Sequence, residues 1–182
     1  MSTTTAAVLT TWNIDPAHSN VEFAVRHLMI TTVKGRFADV KGIVKTDDAD
    51  LSKAQVDVTI AAASIDTREA QRDAHLRSAD FFDAEKFPVL TFRSTRVEPG
   101  SGNSFRLTGD LTIRGVTREV ALDGTAEGRS KDPWGGERAG FSATGKIKCG
   151  DFGLTWNQLL EAGGVAVGDE IKISIDAELV KA

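Results

Sequence analysis

Apolar residues recur at every second position along most of this chain, and that beat admits few folds. Val21, Phe23 and Val25 alternate with Glu22, Ala24 and Arg26, the mark of a strand buried on one face. The same period returns in Val33-Gly35-Phe37, Val56-Val58-Ile60, Leu90-Phe92-Ser94 and Phe105-Leu107-Gly109-Leu111-Ile113. It continues through Val116-Arg118-Val120-Leu122, Phe141-Ala143-Gly145-Ile147-Cys149 and Ile171-Ile173-Ile175-Ala177-Leu179. That makes about eight strands, most of them separated by Gly, Asp, Asn or Pro. Short connections between alternating strands mean antiparallel neighbours, because parallel ones need long crossovers. The fold class is all-β, and the strands must hide their edges in a sandwich or a closed barrel.

One segment breaks the beat. Residues 67–79 contain no β-branched residue after Thr67 and no Gly or Pro, so a single α-helix is predicted at about 67–80. Asp66 or Thr67 is placed to cap it, Glu69 lies in its first turn, and Asp73 can pair with Arg77 four residues on. A second, short helical turn is expected around residues 157–162, stopped by Gly163-Gly164. Gly35, Gly109, Ala143 and Gly145 share the parity of the large apolar residues. They either leave interior volume unfilled or let the sheet curl.

Composition excludes several classes. The 182 residues carry 22 Lys+Arg and 26 Asp+Glu, a net charge of −4, with no basic stripe for nucleic acid. The one cysteine, Cys149, rules out an intrachain disulfide, and its apolar parity reads as a buried thiol. No apolar run reaches the 18 or so residues of a membrane helix. The first ten residues lack a basic region and an apolar core, so a disordered tail at 1–10 is expected before one domain at 11–182. A cytoplasmic location follows as an expectation.

The candidate chemistry is sparse. His18, His27 and His75 show no metal-ligand spacing, and no nucleophile elbow or phosphate loop is present. His18 follows Asp15-Pro16 and reads as a turn residue, while His27 continues the inward parity of Val25. Phe81, Phe82, Phe87 and Phe92 crowd the region after the helix, as core beneath it or as the wall of an apolar pocket.

Longer blocks carry a resemblance. Trp12-Asn-Ile-Asp15-Pro-Ala-His18-Ser-Asn-Val21-Glu-Phe23-Ala-Val25-Arg-His27, Ser64-Ile-Asp-Thr67 and Arg72-Asp-Ala-His75-Leu-Arg-Ser-Ala-Asp80-Phe-Phe82-Asp83 closely resemble the YceI-like family. So do Phe87-Pro-Val-Leu-Thr-Phe92, Leu107-Thr-Gly-Asp-Leu111-Thr-Ile113-Arg-Gly-Val-Thr117 and Asp151-Phe-Gly153. The blocks occur in family order from Trp12 to about Leu179.

The resemblance implies an extended lipocalin-like antiparallel barrel with one helix, binding a long apolar molecule inside. Family members bind polyisoprenoids, and some bind fatty acids or their amides. Many are periplasmic with a signal peptide, a pattern this N-terminus departs from. The expected partners are an isoprenoid or fatty-acid-like lipid and a second copy in a homodimer, with no nucleic acid, membrane span, cofactor or metal. With strand parity, the resemblance gives the expected wall: Phe23, Val25, Phe37, Val58, Ile60, Phe92, Leu107, Leu111, Ile113, Phe141, Ile147 and Ile173. His27, Arg72 and His75 are the candidates for a polar mouth. Non-catalytic carriage, storage or sequestration is the leading function. The alternatives are an enzyme using Asp15, His18, His27 or His75 as acid or base, and a metal or haem site on the three histidines.

Overall fold

The structure is a computed structural model and describes residues 8–154 and 168–182. Eleven strands alternate along the described chain: β1 (Thr10–Ile14), β2 (Asn20–His27), β3 (Thr31–Phe37), β4 (Val40–Asp47), β5 (Asp50–Ala61) and β6 (Ile65–Asp66). After helix α1 (Ala70–Arg77) come β7 (Val89–Pro99), β8 (Ser104–Ile113), β9 (Val116–Lys131), β10 (Glu137–Lys148) and β11 (Glu170–Lys181). Every pairing is antiparallel. The ring β1-β4-β5-β7-β8-β9-β10-β11 closes where β11 meets β1, giving an eight-stranded barrel, and β2, β3 and β6 extend the sheet from β11. Tight turns keep neighbours antiparallel; Arg114 and Gly115, both at positive φ, reverse the chain between β8 and β9.

β1 and β2 are two halves of one edge. β11 pairs with β2 through Lys172–Asp176 and with β1 through Leu179–Lys181. Between the halves the chain breaks at Pro16, and the Asp15 carboxylate caps the resulting 3-10 turn by accepting from Ala17 N at 2.9 Å. Arg138 on β10 ties this corner down, donating to Asp15 at 2.7 Å, Glu178 at 3.0 Å and Asp132 at 3.1 Å.

Three clusters of buried apolar residues pack around the barrel interior. Trp12, Val44, Ala139 and Leu179 form one, and Val97, Leu107 and Leu122 form a second. Ala62, Leu90, Leu111, Ile113, Phe152 and Leu154 form the third, with Phe82 and Ala84 from the segment after α1 against them. Trp12 is 1% exposed, and its indole N–H donates to Thr46 Oγ1 at 3.0 Å.

The eight strands expected from periodicity are present, and β1, β4 and β6 are additional. β4 escapes the pattern because Ile43 points outward while Gly42 and Thr46 take inward positions. The helix is shorter than the expected 67–80, and Glu69 is its N-cap, accepting from Arg72 N at 2.5 Å. Asp73 does not pair with Arg77. It is buried and accepts from Thr67 N at 2.9 Å and Thr67 Oγ1 at 2.5 Å, while Arg77 donates to the carbonyls of Ala63 and Ile65. The short helical turn expected at 157–162 lies outside the described residues.

The interior glycines do not leave empty space. Phe23 lies across Gly35, its cross-strand partner, and a Cβ there would meet the ring at 2.4 Å. Phe105 covers Gly124 in the same way at 2.3 Å, Phe92 and the Arg93 carbonyl crowd Gly109, and Leu122 covers Gly145. Each glycine lets a large side chain from the neighbouring strand lie along the wall, directly opposite at Gly35 and Gly124 and diagonally at Gly109.

Candidate functional site: the barrel cavity

The barrel interior holds a cavity of about 290 Å³, at the lower end of small-molecule pockets, and many of the clustered residues line it. Every strand of the ring contributes inward residues to it, because alternation delivers one side chain in two to the same face. Phe23 and Val25 come from β2, Phe37 from β3, Val58 and Ile60 from β5, and Phe92 from β7. Leu107, Leu111 and Ile113 come from β8, Phe141 and Ile147 from β10, and Ile173 from β11; all twelve expected wall residues line the cavity. Sequence reasoning missed Val40 and Val44 on the unrecognised β4 and Leu76 on α1, where a period-two rule has no purchase; Phe81 and Phe82, expected as core or as pocket wall, line the cavity. Phe105 and Leu122 were legible from parity and were passed over. Phe87 lies over Gly115 and is not on the wall.

The three residues expected at a polar mouth do not line the cavity. His27 keeps the inward parity of Val25, but β11 pairs with β2 only as far as Ala24, so His27 lies past that register and is exposed. Arg72 is engaged by Thr67, donating to its Oγ1 and its carbonyl, each at 2.7 Å. His75 bonds Asp80 at 2.9 Å and meets Phe81 edge-on.

Among the described residues, polar side chains touch the cavity at few places. Ser19, Glu22, Ser142 and Asp176 border it near the break between β1 and β2, where Asp176 pairs with both Ser142 and Asn20. Thr46 is committed to Trp12. Cys149 is on the wall, and burial, reinforced by the Asp169 carboxylate, pushes its thiol up to about 11. A thiol held protonated in this way is a poor nucleophile.

The histidines are not gathered. Among the described residues, Asp15, His18 and Glu178 bring potential ligand atoms within 4.8 Å of one another. Arg138 already supplies that cluster with a cation, bonded to both carboxylates. The hydrogen bond from His18, followed by that from Arg138, lowers the Asp15 carboxyl to about 2, and the same Asp15 contact raises His18. The cluster is a corner clamp outside the cavity wall, and it does not supply an acid–base pair to the interior.

A closed antiparallel barrel around an apolar chamber, capped by one helix, is the lipocalin-like class of binding barrel. Residues 12–179 match the YceI-like domain. Protein YceI of Salmonella newport (strain SL254) is 44% identical over 155 residues, covering 84% of this chain and 81% of the relative. The chain belongs to the YceI-like family. Its fold also matches the crystal structure of BcnA from Burkholderia cenocepacia, with a TM-score of 0.80 and 25% identity across 91% of this chain and 98% of that one. A polyisoprenoid-binding domain from Saccharophagus degradans shares the fold at a TM-score of 0.71, 15% identity and coverage of 96% and 100%.

Proposed function

We propose that the protein carries, stores or sequesters a neutral, linear apolar lipid of the polyisoprenoid or fatty-acyl kind, without catalysis. The observation that carries this reading is the chemistry of the wall. No Lys, Arg or His lines the cavity, and residues 155–167 contain none either. A buried carboxylate would therefore lack a cationic partner, and an unpaired charge is strongly disfavoured in such a place. A fatty alcohol, amide or prenyl chain meets no such penalty. The polyisoprenoid-binding domain of Saccharophagus degradans lends this reading support through its shared fold.

Size supports a chain-shaped guest. At about 30 Å³ per water-sized group, 290 Å³ holds roughly ten methylene-sized units, about half of a C20 prenyl chain. Burying those ten contributes about 8 kcal/mol before the cost of association. Selectivity then rests on chain length and on the polar residues near the β1–β2 break.

Native mass spectrometry of the purified protein, followed by organic extraction, tests the reading. One neutral lipid per barrel is expected, and added geranylgeraniol should bind at least tenfold tighter than palmitate at pH 8. Lipid-free protein that binds neither probe at micromolar concentration overturns carriage. Tighter binding of palmitate overturns neutrality alone.

A further inference from the structure

The tip of the β2–β3 hairpin has an unusual sequence for its geometry. Leu28 and Met29 both sit at positive φ, 51° and 59°, and Ile30 N donates to the His27 carbonyl at 3.1 Å, closing a turn within the three-residue connection 28–30. Such turns favour Asn-Gly, since branched or bulky residues are strained at positive φ. Here the turn instead presents three contiguous apolar side chains, Leu28, Met29 and Ile30, which are 37%, 51% and 73% exposed.

The charge around the tip is equally selective. Residues 23–37 contain Arg26, Lys34 and Arg36 and no Asp or Glu, in a chain whose net charge is −4; Arg36 is paired with Asp66 at 3.8 Å and stands opposite Glu22, which leaves Arg26 and Lys34. On the outer face, register places Lys172, Ala24 and Lys34 side by side across β11, β2 and β3, with Lys146 beyond them on β10 paired to Glu170 at 3.9 Å. Arg26 stands nearer the tip, donating to the Met29 carbonyl at 3.0 Å and to Thr32 Oγ1 at 3.2 Å, and it remains exposed. An apolar point backed by a basic face matches the two layers of an anionic bilayer, hydrocarbon below and phosphate above. The same strand carries Val25 on the cavity wall, about 10 Å from Leu28 at 3.3 Å per residue.

We propose that the β2–β3 hairpin docks the barrel on an anionic phospholipid bilayer. Leu28, Met29 and Ile30 enter the headgroup–acyl boundary, and Arg26, Lys34 and Lys172 face the phosphates. This orientation brings one end of the cavity wall to the membrane surface. Docking goes beyond the carriage reading and does not depend on which lipid the cavity takes.

The decisive variant is the double substitution Leu28→Asn with Met29→Gly, which installs the preferred turn residues while removing the apolar point. Full-length protein is spun with vesicles of phosphatidylcholine and phosphatidylglycerol at 7:3, and with phosphatidylcholine alone. The parent should bind the anionic vesicles at least tenfold better than the neutral ones and lose that preference in 0.5 M salt. The double variant should lose at least tenfold in vesicle binding while its Tm rises. Lys34→Glu with Lys172→Glu should abolish the preference for anionic vesicles. Geranylgeraniol binding in the same samples should stay within twofold of the parent, which separates docking from carriage: loss of the probe with retained docking counts against the cavity alone. Absence of parent binding to anionic vesicles overturns the proposal, as does a double variant that binds like the parent. A change from dimer to monomer in the double variant, with vesicle binding unaltered, assigns the tip to a contact between copies and overturns it as well.

Discussion

Replacing Gly124 by alanine should shrink the cavity without unfolding the barrel. The Cβ added at Gly124 meets three atoms of the Phe105 ring at 2.3, 2.4 and 2.9 Å, and these are its nearest neighbours. Backbone conformation permits the change, since Gly124 is not among the glycines at positive φ. Residue 124 has the inward parity of Leu122, so the ring must swing by about 1 Å or more into the chamber. That displaces roughly one to three methylenes of guest, or about 0.8–2.4 kcal/mol at 0.8 kcal/mol each. The expected loss of affinity is about 4- to 60-fold, read by titrating geranylgeraniol against tryptophan fluorescence. Stability should move little, because alanine's gain of about 0.4–1 kcal/mol through the unfolded state offsets part of the strain. In a Phe105→Leu background the same alanine should cost nothing in binding. Unchanged affinity in the single variant, or an undiminished loss in the double, would refute the idea that the ring defines the wall.

Other perturbations reach different parts of the molecule. Asp15 is held down at about 2 by His18 and Arg138, so its contribution to stability is present above 3.8 and is lost as pH falls towards 2. Asp15→Asn should flatten that acid limb in urea melts between pH 5 and pH 2. His18 is raised, so its share is complete below 6.5 and fades as pH climbs beyond it; His18→Asn should remove the alkaline fade. With its thiol near 11 against an ordinary 9.0, Cys149 should react with iodoacetamide at pH 8 about a hundredfold more slowly than a free cysteine, and rapid labelling would show the wall to be open. Trp12→Phe should cost about 1–3 kcal/mol in urea denaturation by stranding the buried Thr46 hydroxyl, and a Thr46→Val partner change should recover part of it.

Period-two reasoning reached the barrel wall because strand geometry converts alternation directly into inside and outside. It stopped where geometry ceased to be local. β4 is a strand by pairing with β1 and β5, and its inward Thr46 is satisfied by an indole 34 residues away, which no window of sequence contains. Parity put His27 inside, yet the strand runs past its pairing with β11 and the side chain emerges into solvent. Arg72 looked available for a head group and is held by Thr67 five residues earlier, a contact created by the turn before the helix. Arg138 was overlooked because its three carboxylate partners lie on separate turns and strands. For the interior glycines, parity left unfilled volume and sheet curling equally open, and the side chains that cover them come from neighbouring strands.

The pairing of β1 with β11 also sets a clock on the chain's birth. Trp12 is registered against Lys181, so the two halves of that contact are separated by 169 residues of translation. At about 5–20 residues per second the earlier strand waits some 10–30 s for its partner. Throughout that interval the ring is open and its inward face is bare to solvent. The nascent chain is then a sheet with a greasy side, the form most exposed to chaperones and to its own neighbours on a polysome. Closure is a single late event, and whatever occupies the interior at that moment is enclosed with it.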